Sequence, residues 1–222
     1  MSFFAVLTED GSYALTGAGY TALVIAMAAL LLLGCFVFKA DEKANISARK
    51  LVFSAIAMAL AFVSSSIKII HMPMGGSVTL FSMFFITLIG YWYGTGMGLL
   101  AAVSYGILQM IVDPYIIGVP QLFCDYIFAF GALGLSGLLR NARGGMIKGY
   151  LLGVAGRFLF SFLSGYIFFG MYAPEGMNPA VYSFLYNGAY LFAEAALTVV
   201  VAMIPAVASA LRRVKAMALG EG

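Results

Sequence analysis

Apolar residues run through this chain in blocks close to the roughly 20 residues that a helix needs to cross a bilayer. Seven such segments stand out, at about 17–38, 50–70, 77–93, 96–112, 119–140, 147–171 and 180–206. The breaks between them carry turn chemistry: a charged stretch from Lys39 to Lys50, then "HMPMGG", "YGTG", "DPYIIGVP", "NARGG" and "YAPEGMNP". Pro205 is expected to end or bend the last span near its inner end, because a proline cannot continue the helical hydrogen-bond ladder. The pattern shows no internal repeat, low-complexity tract or long linker. It predicts an all-α integral membrane protein in two parts. Residues 1–49 form an extra N-terminal transmembrane helix with a charged cytoplasmic linker, and residues 50–222 form a membrane domain.

Composition supports the class. Hydrophobic residues make up 63% of the 222 residues and charged ones 9%, against about 45–50% and about 25% in soluble domains. No soluble core could bury so much apolar surface. The net charge of +3 says little about nucleic acid, and what matters is where the charges fall. Ten of the twelve basic residues lie between the first and second spans (Lys39, Lys43, Arg49, Lys50), between the fifth and sixth (Arg140, Arg143, Lys148), or after the seventh (Arg212, Arg213, Lys215). Basic residues mark the cytoplasmic side. The pattern therefore predicts a multi-pass plasma-membrane protein with its N-terminus outside and its C-terminus inside. Lys68 is the exception, on the outer side with Glu9, Asp10, Asp113 and Glu175. Cys35 and Cys124 read as small buried hydrophobes. One histidine, His71, cannot build a metal site with them.

Three formal charges remain inside the spans: Asp125, Arg157 and Glu194. Each costs about 2.5–3.5 kcal/mol near mid-bilayer on insertion scales, so each is expected to face the bundle interior. Their neighbours at helical spacing agree. Gln121, Asp125, Ala129, Ala132 and Ser136 share one face, Arg157, Ser161, Ser164 and Gly165 a second, and Ser183, Asn187, Tyr190, Glu194 and Thr198 a third. At 1.5 Å rise per residue, Asp125, Asn187 and Ser161 lie roughly 9–14 Å below the outer surface, with Arg157 and Glu194 at ~20 Å. Arg157 and Glu194 are therefore expected to form a structural ion pair at the floor. Asp125 has no basic residue in its own layer. Its counter-charge is either a ligand cation or Arg157 reaching upward. Tyr115, Phe168, Phe169, Tyr172 and Tyr182 ring that layer, and a flat cationic ligand would use both the carboxylate and the rings.

Three stretches, "MPMGGSVTLFSM", "VPQLFCDYIFAFGALGLSGLLR" and "SGYIFFGMYAPEGMNPAVYSFLYNG", resemble the thiamine-specific substrate-binding (S) components of energy-coupling factor (ECF) transporters, the ThiT/YuaJ type. The resemblance covers about 50–212 and leaves out the first helix. It implies a six-helix S-component bundle over about 50–211, capturing thiamine from outside for ATP-driven uptake. It implies partners too: a transmembrane coupling subunit and two ATPase subunits. Asp125-Tyr126 matches the family's acidic residue for the aminopyrimidine and the Tyr after it, and Tyr115 matches a loop tyrosine near the ligand. Gly165, Tyr182 and Asn187 match pocket positions, and Arg157 matches a basic one. Three positions depart from the pattern. Ser161 stands where some members carry His, Phe169 replaces a ring-stacking Trp, and Gly76 replaces a loop Trp of at least one member. An S-component for a different pyrimidine or thiazole-type vitamin or precursor stays open for that reason, as does a non-transporting membrane sensor. Ala55 and Ala59, repeated one register on by Ala57 and Ala61, are implied as the docking face for the coupling subunit.

No cofactor, metal site or enzymatic activity is expected. The chain has no phosphate-binding GxxxxGK[ST] loop. "GLSG" at Gly134–Gly137 matches a rhomboid-protease pattern. However, Ser136 lies near the inner end of its span, about 25 Å by helix rise from His71, the only imidazole base.

Overall fold

The computed structural model describes residues 5–7, 13–22, 25, 47–72 and 76–221. Most of the expected first span, with Cys35, Lys39 and Lys43, lies outside the described residues. Two short strands, β1 (Ala5–Leu7) and β2 (Tyr13–Leu15), pair antiparallel ahead of it. Residues 17–22 are helical, and the Tyr20 ring stacks on Phe168 with centroids 5.6 Å apart.

Six helices form the bundle that follows: α1 (Ala48–Ser66), α2 (Ser82–Tyr93), α3 (Thr95–Val112), α4 (Val119–Leu139), α5 (Gly145–Phe168) and α6 (Pro179–Met203). Five of these are long and apolar enough to cross a membrane, and α2 with its 12 residues is the exception. Local chemistry sets the starts. Ser47 caps α1 by accepting from the Lys50 amide at 3.4 Å, and Asn178 caps α6 by accepting from the Ala180 amide at 2.8 Å. Proline stands at the first position of α6, where its missing N–H costs nothing.

The expected span at 77–93 needs correction, as does the outer end of the one at 50–70. Lys68–His71 (β3) and Ser77–Thr79 (β4) form an antiparallel hairpin. The β-branched pair Ile69-Ile70 favours an extended chain, and Met72 closes the turn by donating its amide to the Gly76 carbonyl at 2.8 Å. Phe81, in the left-handed region at φ 64°, then turns the chain into α2.

Helix α4 is the most enclosed of the spans and is not a uniform α-helix. It opens with one α-turn, widens into a π-helical stretch over Phe123–Phe128, and tightens into a 3₁₀ stretch over Ala132–Leu139. Glycines allow this crowded crossing. A Cβ on Gly134 would strike the backbone of Gly98 and Leu99, and one on Gly106 would strike the Tyr126 carbonyl inside the π-turn. Ser136, from the "GLSG" motif, is fully buried and donates to the Thr87 carbonyl at 2.8 Å. It ties α4 to α2.

Pro205 acts as expected. Helix α6 stops at Met203, Ile204 is extended, and α7 (Pro205–Leu219) starts afresh. Leu211, Val214, Ala218 and Leu219 of α7 pack on the bundle while Arg212 and Arg213 face out, the division expected of a helix lying at an interface.

Candidate functional site

A cavity opens between the hairpin, the α3–α4 loop and the ends of α4, α5 and α6. It brings together all nine residues expected to bind a ligand: Tyr115, Asp125, Tyr126, Arg157, Ser161, Gly165, Phe169, Tyr182 and Asn187. Phe168 and Tyr172 do not line it. Phe168 instead packs beside Cys124, Phe128 and Phe160 and against Tyr20.

The π-turn positions the acid. It carries Asp125 and Tyr126, and π-turns recur at functional sites because they displace side chains from α-helical register. Gln121, one turn earlier and 1% exposed, organises the surroundings. Its amide nitrogen donates to Asp125 Oδ2 at 2.5 Å and to the Tyr115 carbonyl at 3.1 Å, and its oxygen accepts from the Ile117 amide at 3.1 Å. The Tyr126 hydroxyl accepts from the Tyr115 amide at 2.8 Å and donates to the Asp113 carbonyl at 3.2 Å. Two side chains of α4 thus fold the α3–α4 loop back over the cavity and hold the Tyr115 ring on Phe169, centroids 5.8 Å apart. Loss of water around Tyr115 and the neighbouring Tyr172 hydroxyl raise its phenol above the ordinary value, so it remains a neutral ring.

The expected ion pair between Arg157 and Glu194 is not formed. Glu194, 3% exposed, instead accepts four hydrogen bonds from the start of α2 and the strand before it. These come from the Thr79 hydroxyl at 2.6 Å, the Thr79 amide at 3.3 Å, the Ser82 hydroxyl at 3.3 Å and the Met83 amide at 3.1 Å. Helix α2 has no side-chain cap of its own, and the positive end of its dipole favours a carboxylate there. Glu194 is thus a cap delivered from α6. Arg157 lays its guanidinium 4.0 Å from the centre of the Phe130 ring. Among the described residues the one ion pair is Lys68 with Asp113, at the cavity mouth. It neutralises the lysine that broke the charge pattern. Among the described residues, Asp125 has no basic group in salt-bridge contact. The formal charges that the described residues bring to the cavity lining are three carboxylates, Asp113, Asp125 and Glu194, against two cations, Lys68 and Arg157. The balance is one negative charge.

Sequence patterns missed part of the wall: Tyr105, Gln109, Phe130 and Tyr186, and Ser77, Thr79 and Ser82 of the hairpin and the start of α2. Tyr182, Tyr186 and Tyr190 recur every fourth residue on α6 and form a ladder of rings with centroids 5.8 and 5.9 Å apart, a periodicity legible in the sequence. On the buried side of α6, Asn187 donates to the Ser183 carbonyl at 3.0 Å and accepts from the Tyr190 hydroxyl at 2.9 Å. Gly165 makes the close approach of α5 possible, since a Cβ there would overlap the Ser183 hydroxyl.

A helical membrane bundle whose polar interior opens at one end into a cavity of net negative charge, walled by aromatic rings, has the chemistry to hold a small organic cation. The comparisons place it more narrowly. Residues 51–213 match the model of the thiamine transporter protein family (Thia_YuaJ), and the chain belongs to that family. Thiamine transporter ThiT of Bacillus subtilis (strain 168) is 34% identical over 154 residues, 63% of this chain and 79% of that protein. ThiT of Lacticaseibacillus paracasei is 30% identical over 118 residues, 46% of this chain and 59% of that protein. A solved structure of ThiT from Listeria monocytogenes superposes with a TM-score of 0.58 at 21% identity, covering 73% of this chain and 94% of that one. That likeness supports the fold.

Proposed function

We propose that this chain is the thiamine-binding S-component of an ECF-type vitamin importer. The observation that carries the reading is Asp125, a carboxylate inside the bundle, hydrogen-bonded by Gln121 and in no salt bridge among the described residues. Thiamine has one fixed positive charge on a flat ring and an aminopyrimidine with hydrogen-bond donors. It would bring the cavity's formal charge to zero, while Asp125 accepts from the aminopyrimidine. Tyr115, Tyr126, Phe169 and Tyr182 supply ring faces, where cation–π contact in a desolvated site is worth ~2 kcal/mol. Arg157, Ser161, Gly165 and Asn187 complete the wall.

In this reading the basic end of the bundle faces the cytoplasm and the cavity opens outward. The chain performs no chemistry on its ligand. A transmembrane coupling subunit and two ATPase subunits supply the work of uphill transport, with the coupling subunit docking on Ala55 and Ala59. Both alanines are exposed on α1, whereas Ala57 and Ala61 are buried in the bundle.

The test is isothermal titration calorimetry of the purified protein with thiamine. Equimolar binding in the nanomolar to low-micromolar range is expected. Binding of another pyrimidine or thiazole compound but not thiamine would replace the substrate, and no binding of any would overturn the reading. Calorimetry is preferred to tryptophan quenching because Trp92, the only tryptophan, is absent from the residues lining the cavity.

A further inference from the structure

Tyr186 stands at a junction that neither the charge pattern nor the helical stripes single out. It lines the cavity and is the middle ring of the α6 ladder, between Tyr182 and Tyr190. Its hydroxyl also reaches out of α6 to accept the Gly76 amide at 3.0 Å. The approach is so close that a Cβ on residue 76 would lie 2.6 Å from that oxygen. Gly76 therefore has to be glycine as long as Tyr186 holds this position, and Tyr186 occupies the space that a side chain at 76 would fill. The hairpin is otherwise attached to the cavity wall at Thr79, through Glu194, and at Lys68, through Asp113. Among the described residues, the Gly76 contact ties the chain just ahead of β4 to α6.

We infer that Tyr186 determines both the charge selectivity of the site and the residence time of its ligand, through two separable parts of one side chain. Its ring presents a π-face to a cationic heterocycle, and its hydroxyl holds Gly76 and the start of β4 against α6 beside that heterocycle. This rests on the proposed thiamine reading and adds to it a residue with two roles. A ring face discriminates a cation from a neutral molecule of similar shape because its quadrupole attracts only the charge. A hydrogen bond from wall to hairpin acts instead on dissociation, since the bond must break for the start of β4 to move away.

The two parts predict different signatures. Tyr186→Phe keeps the ring and removes the acceptor from Gly76. The dissociation rate of thiamine should rise about 5-fold or more, as expected for one neutral hydrogen bond, with the preference for thiamine over an uncharged analogue, in which a neutral ring of the same shape replaces the thiazolium, retained. Tyr186→Leu removes both parts. Thiamine affinity should fall a further ~5–30-fold, the equivalent of a desolvated cation–π contact, while affinity for the neutral analogue falls much less. Stopped-flow dissociation and calorimetry with the two compounds read these quantities. Gly76→Ala gives an independent check, because it displaces the Tyr186 hydroxyl without altering α6, and it should reproduce the faster release of the phenylalanine variant. Equal losses for the charged and neutral compounds in Tyr186→Leu would reduce the ring to packing and overturn the selectivity role. Unchanged dissociation in both Tyr186→Phe and Gly76→Ala would overturn the anchoring role. If the unaltered protein binds neither compound, the thiamine reading itself fails, a result distinguishable from either of these.

Discussion

Thr79 and Glu194, 115 residues apart, meet through a 2.6 Å hydrogen bond from hydroxyl to carboxylate. One residue ends the hairpin and the other lies deep on α6, so the contact locks the hairpin, the start of α2 and the wall of the cavity into one unit. Removing the acceptor strands the Thr79 and Met83 amides and one hydroxyl hydrogen in a low-dielectric interior, since the Thr79 and Ser82 hydroxyls also pair with each other at 2.7 Å. Glu194→Ala should therefore cost at least ~3 kcal/mol, seen as a large drop in unfolding temperature in detergent. Thr79→Val, which removes one donor, should cost about 1–3 kcal/mol. Equal stability of Glu194→Ala and the unaltered protein would show that α2 does not need its borrowed cap.

Asp125→Asn keeps the shape of the side chain, leaves one oxygen to accept from Gln121, and replaces the other acceptor by an amide donor while removing the charge. If a ligand cation is its partner, thiamine affinity should fall by about 2–5 kcal/mol, as for loss of one member of a buried charged pair. Stability should hold or improve, because no salt bridge among the described residues is lost. Calorimetry and thermal unfolding on the same sample check both halves. A destabilised variant with normal affinity would reverse the assignment.

Gly106 yields to the Tyr126 carbonyl where α3 passes the π-turn. Gly106→Ala should push that turn away and misplace Asp125 and Tyr126 together. Thiamine affinity should drop at least ~10-fold, since the charged group is displaced, in a protein that still folds and extracts normally. Normal affinity would mean that the π-turn can relax without moving the acid.

Ala55 lies on the exposed face of α1, outside the cavity. Ala55→Trp should leave thiamine binding intact and abolish uptake in cells or vesicles containing the coupling and ATPase subunits, because a small-residue face permits close helix approach that a bulky ring prevents. Uptake at the normal rate would move the docking surface elsewhere.

Much of the site was readable because charges inside apolar spans are costly and must converge. Asp125, Arg157 and Glu194 mark the three interior faces, and the residues one turn away on each face line the cavity with them. Pairing is harder to read than convergence. Helix rise set Arg157 and Glu194 at similar depth and suggested an ion pair, but depth carries no information on azimuth or on backbone donors. The dipole end of α2 competes for Glu194 only because that helix starts inside the membrane domain, and this start was itself hidden. "KIIHMPMGGSVTL" is apolar enough to pass for the ends of two helices, and its alternation is too short to announce strands. The π-turn is equally silent, since "FCDYIF" contains no residue that demands a wider helix. The room for it is left by Gly106 on a different span, where a Cβ would strike the Tyr126 carbonyl.

Helix α2, with its 12 residues, rises only about 18 Å, well short of the ~30 Å hydrocarbon thickness. The hairpin makes up the remainder with exposed Ile69 and Ile70. The outer edge of β3 keeps polar backbone without a strand partner among the described residues, which hydrocarbon does not tolerate. A bilayer thinned on this flank would spare it, so this side of the protein is matched to a shallower bilayer than the rest. Phospholipid tail length becomes a variable that acts on the cavity's own wall: longer tails penalise the hairpin as it stands, and shorter ones relieve it.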